Sequence, residues 1–140
     1  MRVSLLLALL CAARFAVADD QVAERARVNY MLNCQGCHLP DGSGFPGKVP
    51  DMRGLVGRFP TVAGGREFLV RVPGSANAPL SDERLAELMN WLLREYGGDQ
   101  LPADFRPYAA EEVGRLRRHP LTDVQGERQR LLTLLGRSGG

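Results

Sequence analysis

The 140-residue chain predicts a small all-α domain, and three stretches carry that expectation. Gln21 to Asn33 sets apolar side chains at helical spacing with no Gly or Pro among them. Ser81 to Gly97 repeats the pattern with start and stop signals at both ends. Between them, residues 39–59 are dense in Gly and Pro and follow neither the helical nor the strand period, so irregular backbone is expected there. The length suits one domain with an appendage.

Taken in order, residues 1–18 read as a secretory signal. Arg2 gives a short positive start, Val3 to Leu10 is an almost unbroken apolar run, and Ala16-Val17-Ala18 fits the small-x-small cleavage rule. The run is too short to span a bilayer and Arg14 interrupts it, so no stable membrane insertion is expected after cleavage. Cys11 follows Leu10, where a lipidation site needs a small residue, and leaves with the signal. Losing Arg2 and Arg14 brings the formal charge of +2 to near neutral, which argues against nucleic acid as a partner.

The first helix, Gln21 to Asn33, puts Ala23, Ala26 and Tyr30 on one stripe with Val28, Met31 and Leu32 beside it. It runs straight into Cys34-Gln-Gly-Cys37-His38. C-x-x-C-H is the attachment site of a c-type haem. Two thiols at this spacing reach the two vinyl groups on one porphyrin edge, and the histidine beside them offers a ring nitrogen to the iron. A zinc site would need two more Cys or His ligands, and only Cys11 and His119 remain. A thioredoxin-like pair would be expected near a βαβ pattern, which is not visible. A plain disulfide would leave His38 unexplained.

In residues 39–59, Leu39, Phe45, Val49, Met52, Leu55, Val56 and Phe59 are spaced to line a pocket. Gly65 to Val72 predicts a short helix with Phe68, Leu69 and Val72 inward, stopped by Pro73-Gly74. Ser81 is a good N-cap, Asp82 and Glu83 suit the positive helix end, and Gly97-Gly98 terminates. Leu85, Leu88, Met89 and Leu92 form its continuous apolar face. Beyond a linker at Leu101-Pro102 and Arg106-Pro107, Ala109 to Arg118 predicts a short helix. Thr122 to Gln125 has capping-box spacing ahead of a last helix carrying Val124, Leu131, Leu132 and Leu135. Docking of both helices on their own domain is favoured over a partner surface.

The motifs Cys34-x-x-Cys37-His38, Asp41-Gly42-Ser43-Gly44, Pro50-Asp51-Met52-Arg53-Gly54 and the Ser81–Trp91 helix resemble those of class I cytochromes c, over roughly residues 21–96. The resemblance implies a cytochrome c-like helical domain around one covalently bound haem, spanning residues 19–98, with a helical extension over 99–140. It implies that Cys34 and Cys37 bind the haem, His38 ligates the iron, and the Pro50 carbonyl accepts a hydrogen bond from the free ring N–H of His38. Carriers of this class take a methionine sulfur as sixth ligand from the loop before the last helix, here Val72 to Leu80, which holds none. An open position, Met52, Met89, Asn77 and His119 are the alternatives, with Met52 and Met89 weighed chiefly as packing and Met31 too near the thiols.

The expected function is that of an exported, periplasmic one-electron carrier between a dehydrogenase and a terminal acceptor, and not an enzyme. The alternatives are a five-coordinate haem protein that binds a small ligand or shows weak peroxidase activity, and a cytochrome subunit of a dehydrogenase.

Overall fold

Helix α1 crosses helix α4 on a narrow aromatic contact, and the rest of the chain is arranged on that crossing. The computed structural model describes residues 19–137, so the signal expected over residues 1–18, with Cys11, lies outside the described residues. Helix α1 covers residues 19–33 and buries Ala26 and Tyr30, one turn apart. The Tyr30 ring lies 5.5 Å from that of Trp91 and 5.4 Å from that of Tyr96, both on α4. Arg25 grips Glu87 of α4 through two side-chain nitrogens. The contact is narrower than the sequence suggests. Ala23 is exposed, and Val28, Met31 and Leu32 are 39%, 45% and 77% exposed, because the apolar side chains that α1 buries are Ala26 and Tyr30, four apart on its cylinder.

Helix α4, Asp82–Gly97, has the expected ends: Ser81 Oγ accepts from the Arg84 N–H at 3.2 Å, and Gly98 leaves the helix at φ +51°. Its face of Leu85, Leu88, Met89 and Leu92 is buried. Between α1 and α4 run a 3-10 segment, Val56–Thr61, helix α2, Gly65–Arg71, and the short helix α3, Pro73–Ala76. Phe68, Leu69 and Val70 of α2 face inward, while Val72, expected inward, is half-buried. As expected, α2 stops ahead of Pro73: Val72 leaves the helix at ψ 138°, and Pro73 then opens α3 at its first position, where its missing N–H breaks no bond.

Helices α5, Ala110–Arg117, and α6, Val124–Arg137, lie against this body. Val113 and Leu131 are fully buried, and with Tyr108 and Leu135 they belong to one continuous core that also holds Tyr30, Phe59, Phe68 and Leu93. The α6 cap differs from expectation: Asp123, not Thr122, accepts from the Gly126 N–H at 2.8 Å, and Thr122 is exposed. Among the described residues there is no strand beyond an isolated Phe45–Val49 bridge, and no helix is long and apolar enough to cross a membrane.

Candidate cofactor cavity

The last turn of α1 continues into the C-x-x-C-H segment. The Cys34 N–H donates to the Tyr30 carbonyl at 2.8 Å, and the Cys37 and His38 N–H groups donate to the Cys34 carbonyl at 3.1 and 2.9 Å. The tight turn folds His38 back toward the two thiols. Tyr30 anchors the exit from this turn, its hydroxyl donating to the Leu39 carbonyl at 2.7 Å. Cys34 is half-buried, Cys37 is exposed, and the sulfurs are not joined to each other. Burial, helped by Cys37 nearby, pushes the Cys34 thiol up to about 11. Burial also lowers the His38 pKa, against a smaller opposing pull from Asp51, and so favours the uncharged imidazole that a metal can bind. Its Nδ1 is buried and has no hydrogen-bond partner.

His38 lines a cavity of about 280 Å³. Met52, Leu55, Val56 and Phe59 line it as the sequence suggested, joined by Phe68, Leu69 and Val72 of α2 and its end and by Met89 and Leu92 of α4. Pro50 is also in the lining, but no hydrogen bond joins it to His38. Leu39 and Phe45 differ from expectation and are exposed. Leu39 turns its carbonyl inward to Tyr30, and Phe45 is held in a tight loop by its bridge to Val49. Val49 lines an adjoining open groove instead.

The glycines of Asp41-Gly42-Ser43-Gly44 have definite tasks. Asp41 accepts from both the N–H and the hydroxyl of Ser43, closing the turn. Gly42 has φ +79°, and a Cβ there would meet the Tyr96 ring at 2.5 Å. A Cβ on Gly44 would run into the Val49 carbonyl oxygen first and lie 2.6 Å from that of Pro50. The Gly42 carbonyl accepts from the Met52 N–H at 3.0 Å, which ties the Pro50 segment to the turn after His38.

Of the residues considered as sixth ligand, Met52 and Met89 line the cavity, whereas Asn77 and His119 are exposed and lie outside its lining. Segment 72–80 brings Val72 and Ser75 to it. That segment is pinned from α5: Arg117 donates to the Ala76, Ala78 and Leu80 carbonyls and to Asp82. The sequence reading missed Arg117, and it missed Lys48, Gln125 and Arg128, which line the cavity too. Residue 128 was within reach: it sits one turn after Val124, which that reading placed on the apolar face.

A helical body closed around an apolar cavity beside a C-x-x-C-H turn defines a c-type cytochrome. No family profile matches the chain. It is 32% identical to a cytochrome c-552 of Thermus thermophilus, over 79% of this chain and 88% of that protein. It is 34% identical to a second Thermus thermophilus cytochrome c-552, over 70% of this chain and 90% of that one. The chain belongs to the class I c-type cytochromes, and its cofactor is one covalently bound haem c. The residues present fit that group, since a neutral imidazole with an orphaned Nδ1 faces an apolar cavity next to two thiols.

Proposed function

We propose that this protein is an exported one-electron carrier in which Cys34 and Cys37 anchor the haem and His38 is an axial ligand. The observation that carries the reading is the placement of His38, neutral and half-buried, in the wall of an apolar cavity immediately after two cysteines. Cys34 and Cys37, both free thiols, would hold the haem by adding S–H across its two vinyl groups, sulfur to one carbon and hydrogen to the other, which needs no oxidant. Haem c, when bound, supplies an iron that alternates between ferrous and ferric. Pro50, in the same lining, would orient the His38 ring in the haem-loaded protein by accepting the proton of the now orphaned Nδ1, which would leave the other nitrogen for iron. Phe59, Phe68, Leu69 and Leu92 keep water from the cavity, so that little solvent rearranges when the charge changes. The partners are an exported dehydrogenase and a terminal acceptor, met in the periplasm to which residues 1–18 direct the chain.

A second reading, a five-coordinate iron open to a small diatomic ligand, is favoured by one observation: segment 72–80 brings no thioether or imidazole to the cavity. Absorption spectra of the reduced protein, with and without carbon monoxide, separate the two. A spectrum unchanged by carbon monoxide at neutral pH supports the six-coordinate carrier, and prompt binding overturns it for the open site. Replacing both cysteines by Ala should abolish covalent haem, read as the loss of one haem mass from the intact protein. Both readings fall if the matured protein is colourless and its two thiols react freely.

A further inference from the structure

Two cations without partners stand where the cavity meets solvent. Lys48, the only lysine of the chain, and Arg128 of α6 line the haem cavity, and both also line the open groove that adjoins it. Gln125, three residues before Arg128 on the same face of α6, lies with them in both linings. Among the described residues, neither charged group has an ion-pair or hydrogen-bond partner, whereas Arg66, Arg117 and Arg130 are each paired to a carboxylate. The acid beside them is already occupied: Arg53 holds Asp51 at 2.6 Å and reaches Asp41 at 3.0 Å.

A haem carries two carboxylates on one edge. An ionised carboxylate buried against Phe59, Phe68 or Leu69 would be left unpaired, which is strongly unfavourable. That edge must therefore face the polar part of the cavity. A guanidinium suits a carboxylate because it donates two parallel N–H groups in a fixed fork. We propose that Arg128 and Lys48, assisted by the Gln125 side-chain amide, bind the carboxylate edge of the haem, so that α6 is part of the cofactor site. The proposal rests on the haem assignment above.

The charge has a measurable consequence. The reduced haem carries one more electron than the oxidised, so a nearby cation favours reduction. The same cation favours ionised haem carboxylates and holds their pKa down. The charged or titratable groups around that edge are Lys48, Asp51, Arg53 and His38 from the loop side and Arg128 from α6, with Glu127 engaged by Arg130.

The test uses the full-length mature cytochrome and compares Arg128→Gln, Lys48→Gln and, as a control on the same helix, Arg130→Gln. Haem content is taken first from the alkaline pyridine spectrum. Midpoint potential is then followed from acid to mildly alkaline pH. The expected result is a lower potential for Arg128→Gln and Lys48→Gln, with the fall of potential displaced to higher pH, and a control that matches the parent. Arg128→Lys should recover part of the shift. Lys48 is exposed, so its variant reads the effect even if Arg128→Gln does not fold. Haem-loaded variants whose potential–pH curves superimpose on the parent overturn this proposal alone. A preparation that takes up no haem overturns the assignment beneath it.

Discussion

Gly44 is closed in by the main chain of Val49 and Pro50, and Pro50 lines the cavity with His38. A methyl group on Gly44 would press first on the Val49 carbonyl oxygen and then on that of Pro50 at 2.6 Å, and backbone cannot swing aside as a side chain can. Gly44→Ala should therefore cost about 1–3 kcal/mol in denaturant unfolding, the range of an overpacked site. It should also shift the visible absorption of the bound haem, because Pro50 and His38 share that cavity. Parent-like stability and spectrum together would show that the turn yields. Tyr30 works by a different route. Its hydroxyl satisfies the Leu39 carbonyl, so Tyr30→Phe should lose about 1 kcal/mol with its ring contacts to Trp91 and Tyr96 retained.

At the scale of elements, α5 is held by a polar lock as much as by Val113. Arg66 of α2 donates to both oxygens of Glu112 at 2.6 and 2.8 Å and to the Arg106 carbonyl at 2.6 Å. Its guanidinium lies 3.9 Å from the centre of the Tyr108 ring. Tyr108 returns a hydroxyl hydrogen bond to the Arg66 carbonyl, and Asn90 of α4 brackets the Tyr108 backbone as donor and acceptor. Hydrogen bonding to Arg66 holds the Glu112 carboxyl below its ordinary value of 4.5. A carboxyl lowered in the folded state binds fewer protons there than when unfolded. Its contribution is thus complete above that ordinary value and is lost as pH falls through the folded one. Glu112→Gln should flatten the acid limb of the melting-temperature profile, and Arg66→Ala should cost about 2–3 kcal/mol at neutral pH. An acid limb identical in parent and Glu112→Gln would remove this pair from the account.

Over the whole molecule, residues 99–137 complete a core begun by residues 19–98. Leu131 and Leu135 pack in the same cluster as Phe59 and Phe68, and Arg58 and Arg130 reach carbonyls across the seam, at Leu135 and Ala63. A chain ending at Gly98 should unfold at clearly lower denaturant and bind a hydrophobic dye. Leu131→Ala in the full chain should cost about 2–5 kcal/mol. If the shortened protein keeps its parent stability but loses a partner, the extension serves association instead. Arg117 adds a second link, since it holds segment 72–80 from α5 and so couples the extension to the segment that brings Val72 and Ser75 to the cavity.

Contacts between near neighbours along the chain were legible before any fold was known. The C-x-x-C-H spacing, the Ser81 cap, the glycine stop at Gly97-Gly98 and the turn closed by Asp41 each involve residues a few positions apart. Helix faces could be read the same way, because period alone puts Leu85, Leu88, Met89 and Leu92 together. How the irregular segments are turned about their own axes was settled by packing in three dimensions. It sent Leu39 and Phe45 outward and Met52 inward, although all three were equally apolar candidates. Packing also settled that Asp123 caps α6 and that Lys48 and Arg128, eighty residues apart, line one cavity. Burial of Leu131 and Leu135 in the cluster that also holds Phe59 fixes the rotation of α6, and no local pattern contains that association.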